Sequence, residues 1–590
     1  MNLSPTAARA GMAVASLDGL VGDSGSREAV ARLKRDFARN RTLGQRKAVE
    51  LLRSALKSIA ARDFVAASRQ AISALEIDER QGLAWHVLAI AQEKAGQLDK
   101  AFAAYEAAIK LLPDETEVAH DLGRLAHRLG YLEIAEKLLT RYLARNPGHV
   151  EATNNLACAL REQNRDEEAI SVLKDLITIR PDQPMLWNSL GTVLSERGDA
   201  EMSLPFYDEA LRLNPAFHQA LYNRANVRMA LGDPRQALED IDRALAATSD
   251  PGEIAVMNMA RSLILLMIGD LKAGFDTYEV RFDPNLSEAV TFEPYGARWS
   301  PADDLSGRTL LVYGEQGLGD EVLFANVLDD VLKALGPDGR LVLALERRLV
   351  PLFQRSYPQA QVVAHRSIKH MGRTFRAAQF SGPAPAIDSW TPIGSLFRRF
   401  RQSITDFPQH SGFLRPDPGR VAHWREVLAE TGPGPKVGVL WKSLKMTGSR
   451  VRSFSPFEMW SQVLSLPEIQ FVNLQYGDVE AELEAARAAG LNLWTPPGID
   501  LKADLDDLAA LCTALDLVTG PSTATTNIAA ACGAEVWLVS APDAWTVFGT
   551  EAAPCYPNAR VFRADKPGEW TPAMDRLREA LGKIARPQAA

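Results

Sequence analysis

Prolines 113, 147, 181 and 215 stand 34 residues apart, and glycines 96, 130, 198 and 232 keep the same period, with Asn164 in the slot that lacks glycine. Small and large apolar residues recur in register with them. They run Trp85, Leu88, Ala101, Tyr105 and Ala108, then Leu122, Gly123 and Ala135, then Trp187, Leu190, Gly191, Tyr207 and Ala210. This is the tetratricopeptide pattern, two antiparallel helices per repeat. One helix pair cannot bury its apolar face alone, so neighbours must stack into a solenoid whose concave wall suits an extended segment. Degenerate copies extend the expected solenoid to residues 48–286, about seven repeats.

One column of the repeat is polar. Asp121, Asn155, Ser189 and Asn223 occupy the same slot beside the packing leucine of each first helix. Carboxylates, amides and hydroxyls stacked in this way can grip the backbone of an acceptor peptide. The alternative is a solvated helix face.

Beyond residue 286 the pattern changes from helix pairs to alternation. "RTLLVYG", "RLVLALE" and "AQVVAH" read as strands, separated by the helical stretches "DEVLFANVLDDVLKALG" and "RRLVPLFQRSY". A proline- and glycine-richer stretch, 380–435, leads to a second alternation: "KVGVLWKS", "FVNLQYG", "LVTG" and "EVWLVSA" as strands with helices between. The expected fold class is therefore α + α/β, a tetratricopeptide solenoid followed by two Rossmann-like doubly wound domains, 287–434 and 435–590, behind a lead-in, 1–47. In open parallel sheets ligands sit outside the carboxyl ends of the strands, which makes each strand-to-helix loop a candidate site.

Three loops carry chemistry. In "TGPSTATTNIAAACG", Ser522, Thr523, Thr525 and Thr526 crowd a helix start, where backbone N–H groups and the helix dipole favour an anion such as a diphosphate, with Ser522, Thr523 and Thr525 the candidate donor-binding residues. A simple helix cap is the alternative. In "WKSLKMTGSRVRS", Lys442, Lys445, Arg450 and Arg452 follow a strand and suit an anionic ligand, or form a solvated loop, with Lys442 nearest the strand end; Gln475 in "LQYGD", after the next strand, is a candidate contact to the base or ribose of a nucleotide donor, or part of a simple turn. The third loop, "GEQGLGDEVLFANVL", lacks the Lys and Ser/Thr of a phosphate-binding loop, reverses the dinucleotide glycine order, and carries Glu315, Asp320 and Glu321. Three carboxylates would repel a diphosphate. Two roles fit Asp320, a general base for an acceptor hydroxyl and an N-cap of the following helix.

Together "LLVYGEQGLGDEVLFANVL", "KVGVLWKS", "FVNLQYGD", "PGIDLKADLDDLAALCTALDLVTGPSTATTNIAAACG" and "YPNARVFR" resemble bacterial tetratricopeptide-linked GT-B glycosyltransferases, over about 48–570. The catalytic half is similar to heptosyltransferases and the layout to O-GlcNAc transferases. The resemblance implies inverting, metal-independent sugar transfer from a nucleotide-sugar co-substrate, with Gly319 and Asp320 at the base position, Lys442 on donor phosphate and Ser522 to Thr525 at the hydroxyl-rich helix start. The Thr and Pro that heptosyltransferases carry soon after that Asp are absent from "EVLFANVL", and no histidine is expected near these loops, so the histidine-bearing pocket of O-GlcNAc transferases is not reproduced. Bacterial proteins of this layout include flagellin glycosyltransferases using nonulosonic acids such as pseudaminic acid, which makes flagellin the implied acceptor. A transferase acting on a lipid-linked or soluble glycan, and a non-catalytic scaffold, are the other readings.

Composition restricts partners. A net charge of -8 over 590 residues argues against a general nucleic-acid binder. The cysteines Cys158, Cys512, Cys532 and Cys555 show no C-x-x-C spacing, so no disulfide framework or zinc site is expected. "DLDD" at 504–507 fits a helix start better than a metal site, and no metal or other cofactor is expected. No secretory signal or long apolar run is legible, which gives the expectation of a cytoplasmic protein without a membrane span.

Overall fold

The computed structural model describes residues 43–370, 373–444 and 453–585. Most of the expected lead-in, and Lys445, Arg450 and Arg452, lie outside the described residues. Those described fall into two compact units, 43–223 and 224–585.

Fourteen helices, from Leu43–Ala60 to Leu271–Tyr278, form seven hairpins among the described residues. The periodic residues mark the turn inside five of these hairpins: Gly96, Gly130, Gly198 and Gly232 have φ of 75°, 81°, 114° and 81°, and Asn164 takes 60° in the middle slot. Those left-handed angles reverse the chain without a Cβ clash, and asparagine is the residue best able to replace glycine there. Small residues such as Ala84, Ala101 and Ala108 are fully buried where helices of a hairpin approach. The sixth hairpin, beginning with His218–Ala230, straddles the boundary between the units, and the seventh, Pro251–Met267 with Leu271–Tyr278, lies wholly within the second.

In the second unit the chain forms two sheets. The first contains β1 (Val290–Phe292), β2 (Ala297–Arg298), β3 (Thr309–Tyr313), β4 (Arg340–Leu345), β5 (Gln361–His370), β6 (Arg373–Gln379) and β7 (Ser389–Pro392), in the order β1-β6-β5-β4-β3-β7-β2. All neighbours are parallel except β5 and β6. The second contains β8 (Lys436–Val439), β9 (Gln470–Asn473), β10 (Leu493–Trp494), β11 (Leu517–Pro521), β12 (Val536–Ser540) and β13 (Ala559–Arg563), wholly parallel in the order β10-β9-β8-β11-β12-β13. Relative to chain order this is 3-2-1-4-5-6, so strand direction of travel reverses between β8 and β11, where doubly wound folds open a crevice. The same reversal occurs between β3 and β7 in the first sheet.

One apolar cluster unites the unit. Leu266, Phe275 and Tyr278 of the last hairpin share it with Phe324, Phe397, Ile528 and Trp545. Phe275 meets Phe397 edge-on with ring centres 5.0 Å apart. The last repeat is thus part of the α/β core, and the expected division at 286/287 falls within a packed unit.

Candidate functional site

Each reversal point supplies a loop. After β3 the chain runs through the acidic stretch into the short helix Leu318–Phe324; after β11 it runs through Ser522 and Thr523 into the helix Ala524–Ala531. The two loops touch. The Asn527 amide donates to the carbonyl of Gly319 at 3.0 Å. A Cβ on Gly319 would come within 3.1 Å of Asn527 Nδ2 and 3.3 Å of the Ala524 nitrogen, so the contact depends on glycine. Asp320 and the hydroxyl-rich helix start are therefore brought together across the two sheets.

The three acids of the first loop divide by environment. Glu315 and Glu321 are each 1% exposed. Glu315 receives Arg281 Nε at 2.8 Å and Nη2 at 2.9 Å and accepts the Gly394 amide at 2.7 Å. Arg281 also donates to Ser395 Oγ and the Tyr278 carbonyl, tying the end of the last hairpin to the loops after β3 and β7. Beside it Glu279 stays ionised below its ordinary range: burial opposes this, and the Arg281 charge together with hydrogen bonds from Ser395 and Arg281 outweighs it. Glu321 accepts the Glu346 amide at 2.9 Å and meets His365 Nε2 at 3.0 Å. Arg376 donates to the carbonyls of Gly314 at 2.6 Å and Gln316 at 2.9 Å, and Gln316 sits in the left-handed region at φ 60°. Two of the carboxylates thus clamp the loop.

Asp320 is the half-buried third acid. It occupies the third position of its helix, not the N-cap that was one of its two readings, and its Oδ2 accepts the Gly317 amide at 3.1 Å. One oxygen caps the turn. Burial, then Cys555 and Asp320, push the Tyr556 phenol up, and burial with Glu315 and Asp320 raises the Tyr278 phenol against the opposing Arg281 charge. Its charge is therefore felt in the core between the sheets.

On the second sheet, Ser522 is exposed, while Thr523 Oγ1 and Thr525 Oγ1 are buried without a hydrogen-bond partner. Thr526 closes the turn instead, accepting the Thr523 amide at 2.9 Å. Of the four hydroxyls, the capping role that stood as the alternative falls to Thr526, which leaves Thr523 and Thr525 unspent. Gly520 lets β11 and β8 close up, since a Cβ there would lie 2.5 Å from the Leu440 carbonyl. Gln475 is 2% exposed, and its Oε1 accepts the amides of Trp441 at 2.8 Å and Lys442 at 2.9 Å. As the sequence reading put Gln475 on the donor, its place is corrected to one step back: it fixes the loop that carries Lys442. The Lys442 ammonium pairs with Glu482, so an anion must displace that carboxylate to engage it.

The "DLDD" acids start a helix: Asp504 accepts the Asp507 amide at 2.9 Å, and Asp507 receives Trp424 Nε1 at 3.0 Å. Arg281, His365, Arg376 and Asn527 were not legible as site residues. Each reaches the loops from a distant element, and His365 corrects the expectation of no nearby histidine.

In the first unit the polar column is neither solvated nor vacant. His86 Nε2 lies 2.8 Å from Asp121 Oδ2, Ser189 donates to Asn154, and Asn223 Nδ2 donates to Asn188 Oδ1 at 3.0 Å, each a bond between successive repeats. Asn155 is buried with an unpartnered Nδ2.

Models of the tetratricopeptide repeat match residues 83–125, 120–184, 188–253 and 222–286. Protein FlbA of Caulobacter vibrioides is 48% identical over 566 residues, spanning 96% of this chain and 94% of its own length. The chain belongs to the FlbA family. Human protein O-mannosyl-transferase TMTC3 is 25% identical over 217 residues, spanning 34% of this chain and 23% of its own. A tetratricopeptide repeat protein from Parabacteroides merdae matches 40% of the chain and 91% of its own length at 17% identity, with a TM-score of 0.36. The likeness to FlbA thus takes in both halves, whereas the repeat models stop at residue 286. Among the described residues no helix is long and apolar enough to cross a membrane.

Proposed function

We propose that this FlbA-family chain is a protein O-glycosyltransferase of the inverting, metal-independent GT-B type, which moves a sugar from a nucleotide donor to Ser or Thr of a protein acceptor. The observation that carries the reading is the Gly319–Asn527 contact, because it sets a half-buried carboxylate beside a helix start with two unspent hydroxyls. In the reaction the acceptor hydroxyl oxygen forms a bond to the anomeric carbon as the bond from that carbon to the phosphate oxygen breaks. The hydroxyl proton passes to Asp320, and the phosphate leaves carrying the electron pair. Ser522, Thr523 and Thr525 offer donors to that phosphate at the positive end of the helix dipole, and Lys442 adds charge once it leaves Glu482. The repeats recruit the acceptor. Flagellin as acceptor, a nonulosonic acid such as pseudaminic acid as sugar, and a cytoplasmic setting are the finer parts of the proposal, supported by the resemblance of the motifs.

The test is transfer by the purified chain, read as the intact mass of flagellin after incubation with nucleotide-sugar extracts. Flagellin that gains sugar mass with the parent chain and none with Asp320→Asn is the expected result. An Asp320→Asn chain with full turnover would overturn the assignment, and transfer to free glycan alone would replace protein by glycan as acceptor.

A further inference from the structure

Between Arg347 and Ile387 the chain carries no Asp or Glu but seven Arg and Lys, although the whole has a net charge of -8. Much of that charge lies on one ribbon. β4 pairs with β5 only as far as Ala364, β1 pairs with β6 only at Thr374–Arg376, and the β5–β6 ladder continues to His370 opposite Arg373. The segment His365–His370 therefore runs past the carboxyl edge of β4, with one edge unpaired among the described residues.

The ribbon has two unlike faces, because side chains alternate along a strand. His365 and Arg376 share the inner face and hold the acidic loop through Glu321 and the Gly314 and Gln316 carbonyls. Arg366, Ile368, His370, Arg373 and Phe375 share the other. Ile368 stands directly opposite Phe375, and they are 43% and 39% exposed. Arg366, His370 and Arg373 around them are exposed, and Arg373 makes one hydrogen bond, to the Pro284 carbonyl at 3.2 Å. A large apolar pair ringed by cations, on a strand with a free backbone edge, is costly in water and invites strand addition.

We infer that the β5–β6 ribbon docks an extended acidic polypeptide, which adds to the free edge of β5 and sets alternating acidic and apolar side chains against Arg366, Arg373, Ile368 and Phe375. The backbone edge provides affinity and the side-chain pattern provides choice, as in other strand-addition sites. A lipid surface would use the cations and the apolar pair and leave the backbone edge without a partner. A nucleic acid would have no use for the aliphatic Ile368. That the polypeptide is the acceptor rests on the proposed transfer, since the ribbon grips the loop bearing Asp320; the docking itself does not.

The experiment uses the full chain and a fluorescent peptide of three Asp-Ser-Val-Ser units, which places acids and valines alternately on one face. Binding by the parent, loss of about tenfold or more in Arg366→Glu/Arg373→Glu and again in Ile368→Thr/Phe375→Thr, weakening with salt, and no binding of the Lys-Ser-Val-Ser counterpart are expected. An unchanged melting temperature shows that the variants are folded. Equal peptide binding by the charge-reversed chain would overturn the inference. So would tighter binding of the parent to phosphatidylglycerol vesicles or single-stranded DNA than to the peptide. Because peptide binding needs no sugar donor, absence of transfer in every variant with normal peptide binding removes the transferase reading alone. Undiminished transfer by Arg366→Glu/Arg373→Glu to a protein acceptor with an acidic segment removes the ribbon as acceptor dock while transfer stands.

Discussion

Asp320 performs two tasks that substitution can separate. Asp320→Asn keeps an oxygen for the Gly317 amide, so the helix cap survives and stability should fall by no more than about 1 kcal/mol. A lost general base should lower kcat by about 10²- to 10⁴-fold with KM little changed, which steady-state kinetics would show. The Arg281–Glu315 pair behaves oppositely. Arg281→Met leaves the nearly fully buried Glu315 carboxyl without its bidentate partner, a cost on the order of 3–5 kcal/mol, to be read as an earlier urea transition. In the repeats, burial holds His120 down to about 4, with Asp121 opposing and His149 and Arg124 assisting. Folded His120 is then neutral between about pH 4 and 6.5 while the unfolded chain takes up a proton, so stability must rise with pH across that window and be lost on acidification. His120→Phe should flatten the melting temperature between pH 5 and 6.5. Of these residues Asp320 and Glu315 were legible in sequence as loop acids, because an acid beside glycines announces itself. Arg281 lies in "YEVRFD", with no spacing that links it to Glu315; folding alone makes them neighbours.

At the scale of elements, the crevice depends on two turns approaching more closely than side chains allow. Gly319→Ala should force Asn527 and Ala524 aside, costing about 1–3 kcal/mol and lowering transfer more than nucleotide binding; thermal melting with and without nucleotide separates the two. Most strands were readable from apolar runs: "RTLLVYG" became β3, and "EVWLVSA" became β12. β6 was missed, because "RTFRAAQ" has no apolar face to bury; it is held by its ladder to β5 and by Arg376 on loop carbonyls. The long helix expected from "DEVLFANVLDDVLKALG" is broken by a turn of 3-10 helix at Ala325–Val327. There Asn326 receives the buried Arg401 guanidinium at 2.9 Å, a partner supplied from far along the chain.

For the whole molecule, the position of the last hairpin decides how the chain can be divided. Removal of residues 1–217, which spares the helix His218–Ala230 that crosses the unit boundary, keeps the second unit whole and should yield a soluble, cooperatively melting protein. Removal of 1–286 strips Phe275, Tyr278 and Arg281 from the core and should give aggregated material; soluble yield and a melting curve test both. A repeat-deletion assay of acceptor recruitment therefore has to cut at the earlier point. What the sequence determined by itself is whatever repeats or alternates: the 34-residue period, the left-handed turn slots, the two α/β halves and the loops at strand ends, all set by short-range sterics and by the need to bury one face of each element. What only the tertiary structure decided is which distant groups meet. Burial made partners of Arg281 and Glu315, spent Gln475, Asp121, Ser189 and Asn223 on scaffolding, left Thr523 and Thr525 unpaired, and brought Gly319 against Asn527. Such pairings follow from long-range packing and the penalty for an unmatched buried charge, and no local pattern encodes them.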